Sequence, residues 1–225
     1  MINFNGNVTS EDNLLTNNRG LLYGDSVFET VKILDGKILF VEDQYFRLMA
    51  SMRIVRMEIP MNFTMEYFEE QILTLAKAEN LEKSSRARIT IFRNQGGFYL
   101  PKDNTVSFLI HIIALENSVY QIEKENYEVE LYKDFIVTKH LLSSIKSSNR
   151  IINVTGSIFA DENGYDNCLL INDDKNVIEA LNGNLFMLMG NKLITPPISE
   201  GCLNGVMRKQ VLALARKIES LEVVE

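Results

Sequence analysis

A chain of 225 residues with 46% hydrophobic and 24% charged residues can bury one large core or two modest ones, and its composition is that of a soluble globular protein. Its formal net charge of -7 excludes a nucleic-acid backbone as the main partner, because nonspecific binding there rests on a basic surface. No run of about 18 apolar residues could span a bilayer as a helix, and the opening MINFNGNVTSEDNLL lacks the basic and apolar regions of a secretory signal, so a cytoplasmic protein is expected. The two cysteines, Cys168 and Cys202, sit in apolar surroundings with no CxxC or Cys/His cluster. They read as core thiols, not as a disulfide or a zinc site.

In chain order, a strand is expected at 2–4, then a turn at Asn5-Gly6-Asn7 and an irregular polar run up to RGLLYGD. The runs VFETVKIL and KILFV flank Asp35-Gly36, a pair that signals a type I′ hairpin. Over 42–58, Tyr45, Leu48, Met49, Met52 and Val55 recur at helical spacing, with Glu42 and Asp43 in the first turn. A second helix follows Thr64, a candidate N-cap, with Met65, Phe68, Ile72 and Leu75 as its stripe. RARITIF alternates with Ala87, Ile89 and Ile91 on one face, and TVSFLIHIIAL reads as a longer buried strand.

The charged, aperiodic segment from 116 marks a boundary. The expected division is a small N-terminal α/β domain at 1–115, a linker at 116–122, and a larger second domain at 123–225. Strands are expected at 127–133 and 135–141, a helix at about 147–161, and short strands in NCLLIN, NVIEA, NLFMLM and KLIT. After Pro196-Pro197 and the loop ISEGCLNG comes a helix, with Val211, Leu212, Leu214 and Ala215 toward the core.

Few residues stand out for chemistry. Lys146, between serines just before a helix, reads most simply as a solvated lysine. A nucleophilic lysine must shed its proton, which desolvation or a nearby cation promotes. Glu179 ends an apolar strand, where burial is costly without a partner, and the simpler reading turns it to water. The loop before VMRKQVL offers main-chain N–H groups at a helix N-terminus, a ready anion site or mere glycine punctuation. Arg47 on the first long helix is a solvated side chain or a phosphate ligand. His111 and His140 lie in apolar runs and suit core or structural roles better than a metal or a triad.

Together the segments RGLLYGDSVFETVKILDGKILFVEDQYFRL, IKSSNR, VIEALNGNLF, ITPP and LNGVMRKQVL resemble, in order and spacing, the fold-type IV pyridoxal-phosphate enzymes. These include branched-chain and D-amino acid aminotransferases and 4-amino-4-deoxychorismate lyase. The resemblance implies an α/β (α+β) two-domain fold like that of D-amino acid aminotransferase, with pyridoxal 5'-phosphate (PLP) in the cleft between domains. It implies that Lys146 holds the cofactor as a Schiff base and moves protons, and that Arg47 and the N–H groups of Val206 and Met207 bind its phosphate. Leu203 would pack on the ring and Glu179 would pair with the ring nitrogen. Phe28, Arg93 and Tyr99 are the residues placed toward the substrate, no metal is expected, and a homodimer acting on a small amine or amino acid is implied.

Departures from the family pattern choose among its members. Ile151 stands where branched-chain enzymes usually have a tyrosine, and RNQGGFYLP lacks the arginine and histidine with which D-amino acid enzymes trap a carboxylate. Met207 replaces a usual hydroxyl residue, while NGVMR and IKSSNR resemble the lyases, which work in folate biosynthesis. Against this, Phe98 stands where lyases often have an arginine, and Gln44 where the family usually has histidine. The expectation is therefore the lyase, with an aminotransferase as the alternative and a non-catalytic relative third. Set beside the family pattern, the end at LEVVE also leads one to expect a second domain lacking its last segment.

Overall fold

The protein is described by a computed structural model over residues 1–9, 17–121 and 125–225. It divides into two units, Met1–Gln121 with Lys146–Asn149, and Ile122–Ile145 with Arg150–Glu225. The expected polar run after residue 9 and the linker at 116–122 both extend into positions outside the described residues.

The first unit is built on a six-stranded sheet ordered β2-β1-β6-β5-β3-β4. Its elements are β1 (Ile2–Phe4), β2 (Asn7–Thr9), α1 (Arg19–Tyr23), β3 (Ser26–Leu34), β4 (Lys37–Ile38), α2 (Val41–Ile54), α3 (Met65–Ala78), β5 (Ser84–Arg93) and β6 (Val106–Ala114). Asp35 and Gly36 turn β3 into β4 with φ of 47° and 71°, the two positive values of a type I′ turn. The expected strand KILFV is cut to two residues because Phe40 takes φ 56° and becomes the N-cap of α2. Period-two alternation sends Val27, Val31, Ile33, Ala87, Ile89, Ile91, Ile110 and Ile112 into the core. Leu48, Met49 and Met52 of α2 and Phe68, Ile72 and Leu75 of α3 are buried with them, each such side chain contributing about 1.5–3 kcal/mol. Thr64 caps α3 by accepting the Tyr67 N–H.

The second unit contains β7 (Val129–Val137), α4 (Ile151–Asn163), β8 (Asn167–Asn172), β9 (Val177–Ala180), β10 (Gly183–Asn184), β11 (Met187–Met189), β12 (Lys192–Ile194), α5 (Val206–Ala215) and β13 (Glu222–Val224). They form sheets ordered β10-β9-β8-β7 and β11-β12-β13. Tyr132, Ala160, Cys168, Leu170, Ile178 and Cys202 make its core, so both thiols are buried.

Several expectations are corrected. The strands at 127–133 and 135–141 are one strand, β7, whose pairing with β8 shifts register between Tyr132 and Val137. The helix expected from 147 begins at Ile151, since Lys146, Ser147 and Ser148 pair with β3 instead. NLFMLM is split into β10 and β11. Leu214 is 63% exposed, because α5 buries the face of Arg208, Leu212 and Ala215 and Leu214 projects from the other side. His111 and His140 are exposed; alternation places His111 between buried Ile110 and Ile112 and turns it outward.

Candidate functional site

In the first unit, the strip Lys146–Asn149 runs beside β3. Phe28 N–H donates to the Lys146 carbonyl at 2.8 Å, Ser148 N–H donates to the Ser26 carbonyl at 3.0 Å, and Val27 and Ser147 form a bridge. This fixes the Lys146 backbone while its amine stands 4.8 Å from the centroid of the Phe28 ring. The Arg88 guanidinium approaches the same ring to 3.6 Å. Phe28 is therefore an aromatic surface shared by two cations, an arrangement its negative ring face favours.

Arg47, on α2, is held by β3. Its Nε donates to Glu29 Oε1 and its Nη2 to Glu29 Oε2, both at 2.7 Å, and Nη2 also reaches Gln44 Oε1 at 3.3 Å. Glu29 was not singled out in the sequence, yet a signal was there: it is the one charged residue on the inward register of VFETVKIL, between Val27 and Val31.

Arg93 is placed differently from the expectation. It is 6% exposed, and its guanidinium is taken up by Asp25, the carbonyls of Arg56 and Val55, and Asn104. Its donors are turned to protein acceptors, which makes it an anchor of the loop after β5 rather than a substrate contact. Arg19 does the same from α1, donating to Asp25 and to the carbonyls of Gly96, Gly97 and Phe98. At the tip of that loop Tyr99 is 89% exposed, with its ring 5.8 Å from that of Tyr23.

In the second unit, Glu179 is 5% exposed, and its Oε2 accepts the Leu203 N–H at 2.8 Å. A strand end facing water is thereby excluded. Burial, followed by the nearby Glu179 charge, pushes the Cys202 thiol up to about 11, so this neighbour stays protonated and unreactive. Val206 and Met207 open α5 behind Gly205, an N-cap with no side chain to accept their N–H groups. Such a helix start suits an anion through its main-chain donors and dipole. Asn184, which sequence reasoning passed over, donates to the Leu203 carbonyl at 2.7 Å. The first unit carries the Lys146 amine beside Phe28; the second carries the buried Glu179 carboxylate and the main-chain donors at the start of α5. Among the described residues no group of three or more His, Cys, Asp and Glu could hold a metal ion.

The family model described as amino-transferase class IV matches residues 26–225. The "Putative branched-chain-amino-acid aminotransferase" of Methanocaldococcus jannaschii is 29% identical over 206 residues, 92% of this chain and 70% of that protein. The aminodeoxychorismate lyase of Vibrio harveyi is 25% identical over 204 residues, 86% and 70% of the respective chains. Among solved structures, the PLP-form of the branched-chain amino acid aminotransferase from Thermobaculum terrenum shares the fold, with a TM-score of 0.83 at 24% identity over 99% of this chain and 75% of that one.

Proposed function

Because this chain belongs to the amino-transferase class IV family, whose enzymes use PLP, we propose that it is the member that releases pyruvate from 4-amino-4-deoxychorismate to leave 4-aminobenzoate. The protein is an enzyme of mixed α/β fold. The observation that carries the lyase reading is Met207, at the first turn of α5 with half its surface exposed, where it offers a main-chain N–H and no hydroxyl. An aminotransferase is the second reading, favoured by the Methanocaldococcus jannaschii relative.

The donor set fits the cofactor. Lys146 provides an amine for its aldehyde carbon. Glu179 is a buried carboxylate suited to a protonated ring nitrogen, and the uncapped start of α5 suits a phosphate. When bound, PLP supplies an electron sink for a carbanion beside the substrate nitrogen. The residues around it do the rest. Lys146 Nζ takes the proton from the carbon that bears the substrate amine and returns a proton later. Glu179 keeps a proton on the ring nitrogen, because a buried anion favours the charged form of its partner. Val206 and Met207 N–H groups would hold the phosphate, Arg47 would be a phosphate ligand from the first unit, Leu203 would pack on the ring, and Phe28 and Tyr99 would face the substrate.

A homodimer belongs to the same proposal. Met187, Leu188 and Met189 are 50%, 64% and 57% exposed on β11, an edge strand of its sheet, and contiguous exposed apolar residues favour a protein contact. Light scattering at micromolar concentration tests it. A cytoplasmic location is also proposed; among the described residues no helix is long and apolar enough to cross a membrane.

The deciding experiment reconstitutes the chain with PLP and compares pyruvate release from aminodeoxychorismate with amino transfer from L- and D-amino acids to a keto acid. Pyruvate without transfer supports the lyase. Transfer without pyruvate replaces it by the aminotransferase.

A further inference from the structure

Glu179 and Asn184 stand directly opposite each other in the β9–β10 ladder, and both grip the same residue of the loop before α5. Glu179 Oε2 accepts the Leu203 N–H at 2.8 Å, and Asn184 Nδ2 donates to the Leu203 carbonyl at 2.7 Å. Two residues further, at Gly205, a Cβ would overlap Asn184 Oδ1 and come within 3.1 Å of its Cγ. The Asn184 amide therefore fills the space that glycine leaves at the N-cap of α5.

The chemistry of this contact is selective. Only a side-chain amide of this length presents a donor to the Leu203 carbonyl without adding charge beside Glu179. Aspartate has the same shape, but it would set an oxygen against that carbonyl and a second negative charge opposite the first. Serine is too short to span the same gap. Held on its N–H side by Glu179 and on its C=O side by Asn184, the Leu203 segment links the carboxylate to the first turn of α5.

We propose that Asn184 is a positioning residue that fixes the N-terminal turn of α5 at a set distance from Glu179. The inference rests on the reading above, in which Glu179 meets the ring nitrogen and the α5 turn meets the phosphate. In PLP those two groups are joined by covalent bonds, so both protein anchors must be held at matching spacing. A supporting residue that touches neither end supplies this, because rigid contacts behind a binding group decide how well that group is aimed.

The test uses the full chain reconstituted with PLP, with affinity from equilibrium dialysis and the environment of the bound phosphate from 31P NMR. Asn184→Ala is expected to weaken PLP binding roughly tenfold, the scale of one lost hydrogen bond, and to move the bound 31P line. The cofactor-free chain should lose less stability in urea than the chain loses in PLP affinity. Asn184→Asp is expected to bind no better than Asn184→Ala, which a role in filling space alone would not produce. Gly205→Ala, which pushes on the same amide, should move the 31P line in turn and supplies the measurement if Asn184→Ala does not fold. Parent affinity and an unmoved 31P line in Asn184→Ala overturn the inference alone, as does a loss of affinity matched by an equal loss of cofactor-free stability. A parent chain that binds no PLP overturns the functional reading and this inference with it.

Discussion

Glu29 and Arg47 meet through two parallel hydrogen bonds of 2.7 Å, with the Glu29 side chain fully buried and that of Arg47 13% exposed. A planar guanidinium matched to a carboxylate in this way has its orientation set as well as its charge balanced. Removing one partner of a buried pair leaves the other charge without compensation, whereas replacing both by apolar groups is often tolerated. Glu29→Ala is therefore expected to lower stability by about 3 kcal/mol, and Glu29→Leu combined with Arg47→Met to lower it by less. Urea unfolding of the three chains measures both, and a Glu29→Ala midpoint equal to the parent's would refute this account of the pair.

Lys146→Ala should abolish the adduct that borohydride traps between protein and PLP, read by mass spectrometry of the intact chain. Glu179→Gln should keep the adduct but lower turnover by at least tenfold, because a neutral amide no longer favours a protonated ring nitrogen. A trapped adduct in Lys146→Ala would move the attachment to another lysine. Unchanged turnover in Glu179→Gln would remove that residue from its assigned role.

Most of the fold was legible because its signals are local. Alternation in RARITIF, the helical stripe after Thr64 and the Asp35-Gly36 turn each depend on a few neighbouring residues and mark elements that the structure contains. The failures have long-range causes. Residues 146–148 are kept out of the helix by backbone hydrogen bonds of Lys146 and Ser148 to β3, more than a hundred positions earlier, and no local preference reports that pairing. Candidate residues followed the same division. Lys146 and Glu179 stood out through family motifs, whereas Asn184 acts through a carbonyl 19 positions away. Arg93 was misread because a lone arginine at a strand end looks the same whether its donors face a ligand or, as here, backbone carbonyls.

The acid side of the stability profile should depend on Glu200. Its carboxylate accepts hydrogen bonds from Asn176 and Asn172 at 2.9 and 2.7 Å, and these hold its pKa below the usual glutamate range. A pKa lower in the folded than in the unfolded chain means that the contribution is complete above the unfolded value of about 4.3 and is lost as pH falls through the folded one. Glu200→Gln should therefore flatten the decline of the thermal midpoint below about pH 4.5 while changing its pH dependence near neutrality little. Parallel curves for parent and variant from pH 3 to 7 would remove Glu200 as a cause of the acid transition.

Arg19 should control the loop that carries Phe98 and Tyr99. Its side chain is 4% exposed, pairs with Asp25 at 2.9 Å, and places Nη1 on the Gly96, Gly97 and Phe98 carbonyls, the last at 2.6 Å. Arg93 holds the same Asp25 oxygen at 2.9 Å, so Asp25 keeps a cation when Arg19 is removed and the damage should centre on the loop. Arg19→Ala removes the side-chain donor from the Gly97 and Phe98 carbonyls, while Gly96 keeps the Lys102 N–H, at a cost of about 0.5–1.5 kcal/mol for each hydrogen bond lost. Lysine at this position should recover little, because a single ammonium cannot span Asp25 and the carbonyls in one plane. Phe98, Tyr99 and Leu100 are 83–89% exposed, so chymotrypsin can cut there once the backbone is released. Cleavage within 98–100 is expected to accelerate by roughly tenfold or more in Arg19→Ala, one to two lost hydrogen bonds by that scale. Cleavage at the parent rate, with unchanged urea stability, would show that the loop is held by contacts other than the Arg19 clamp.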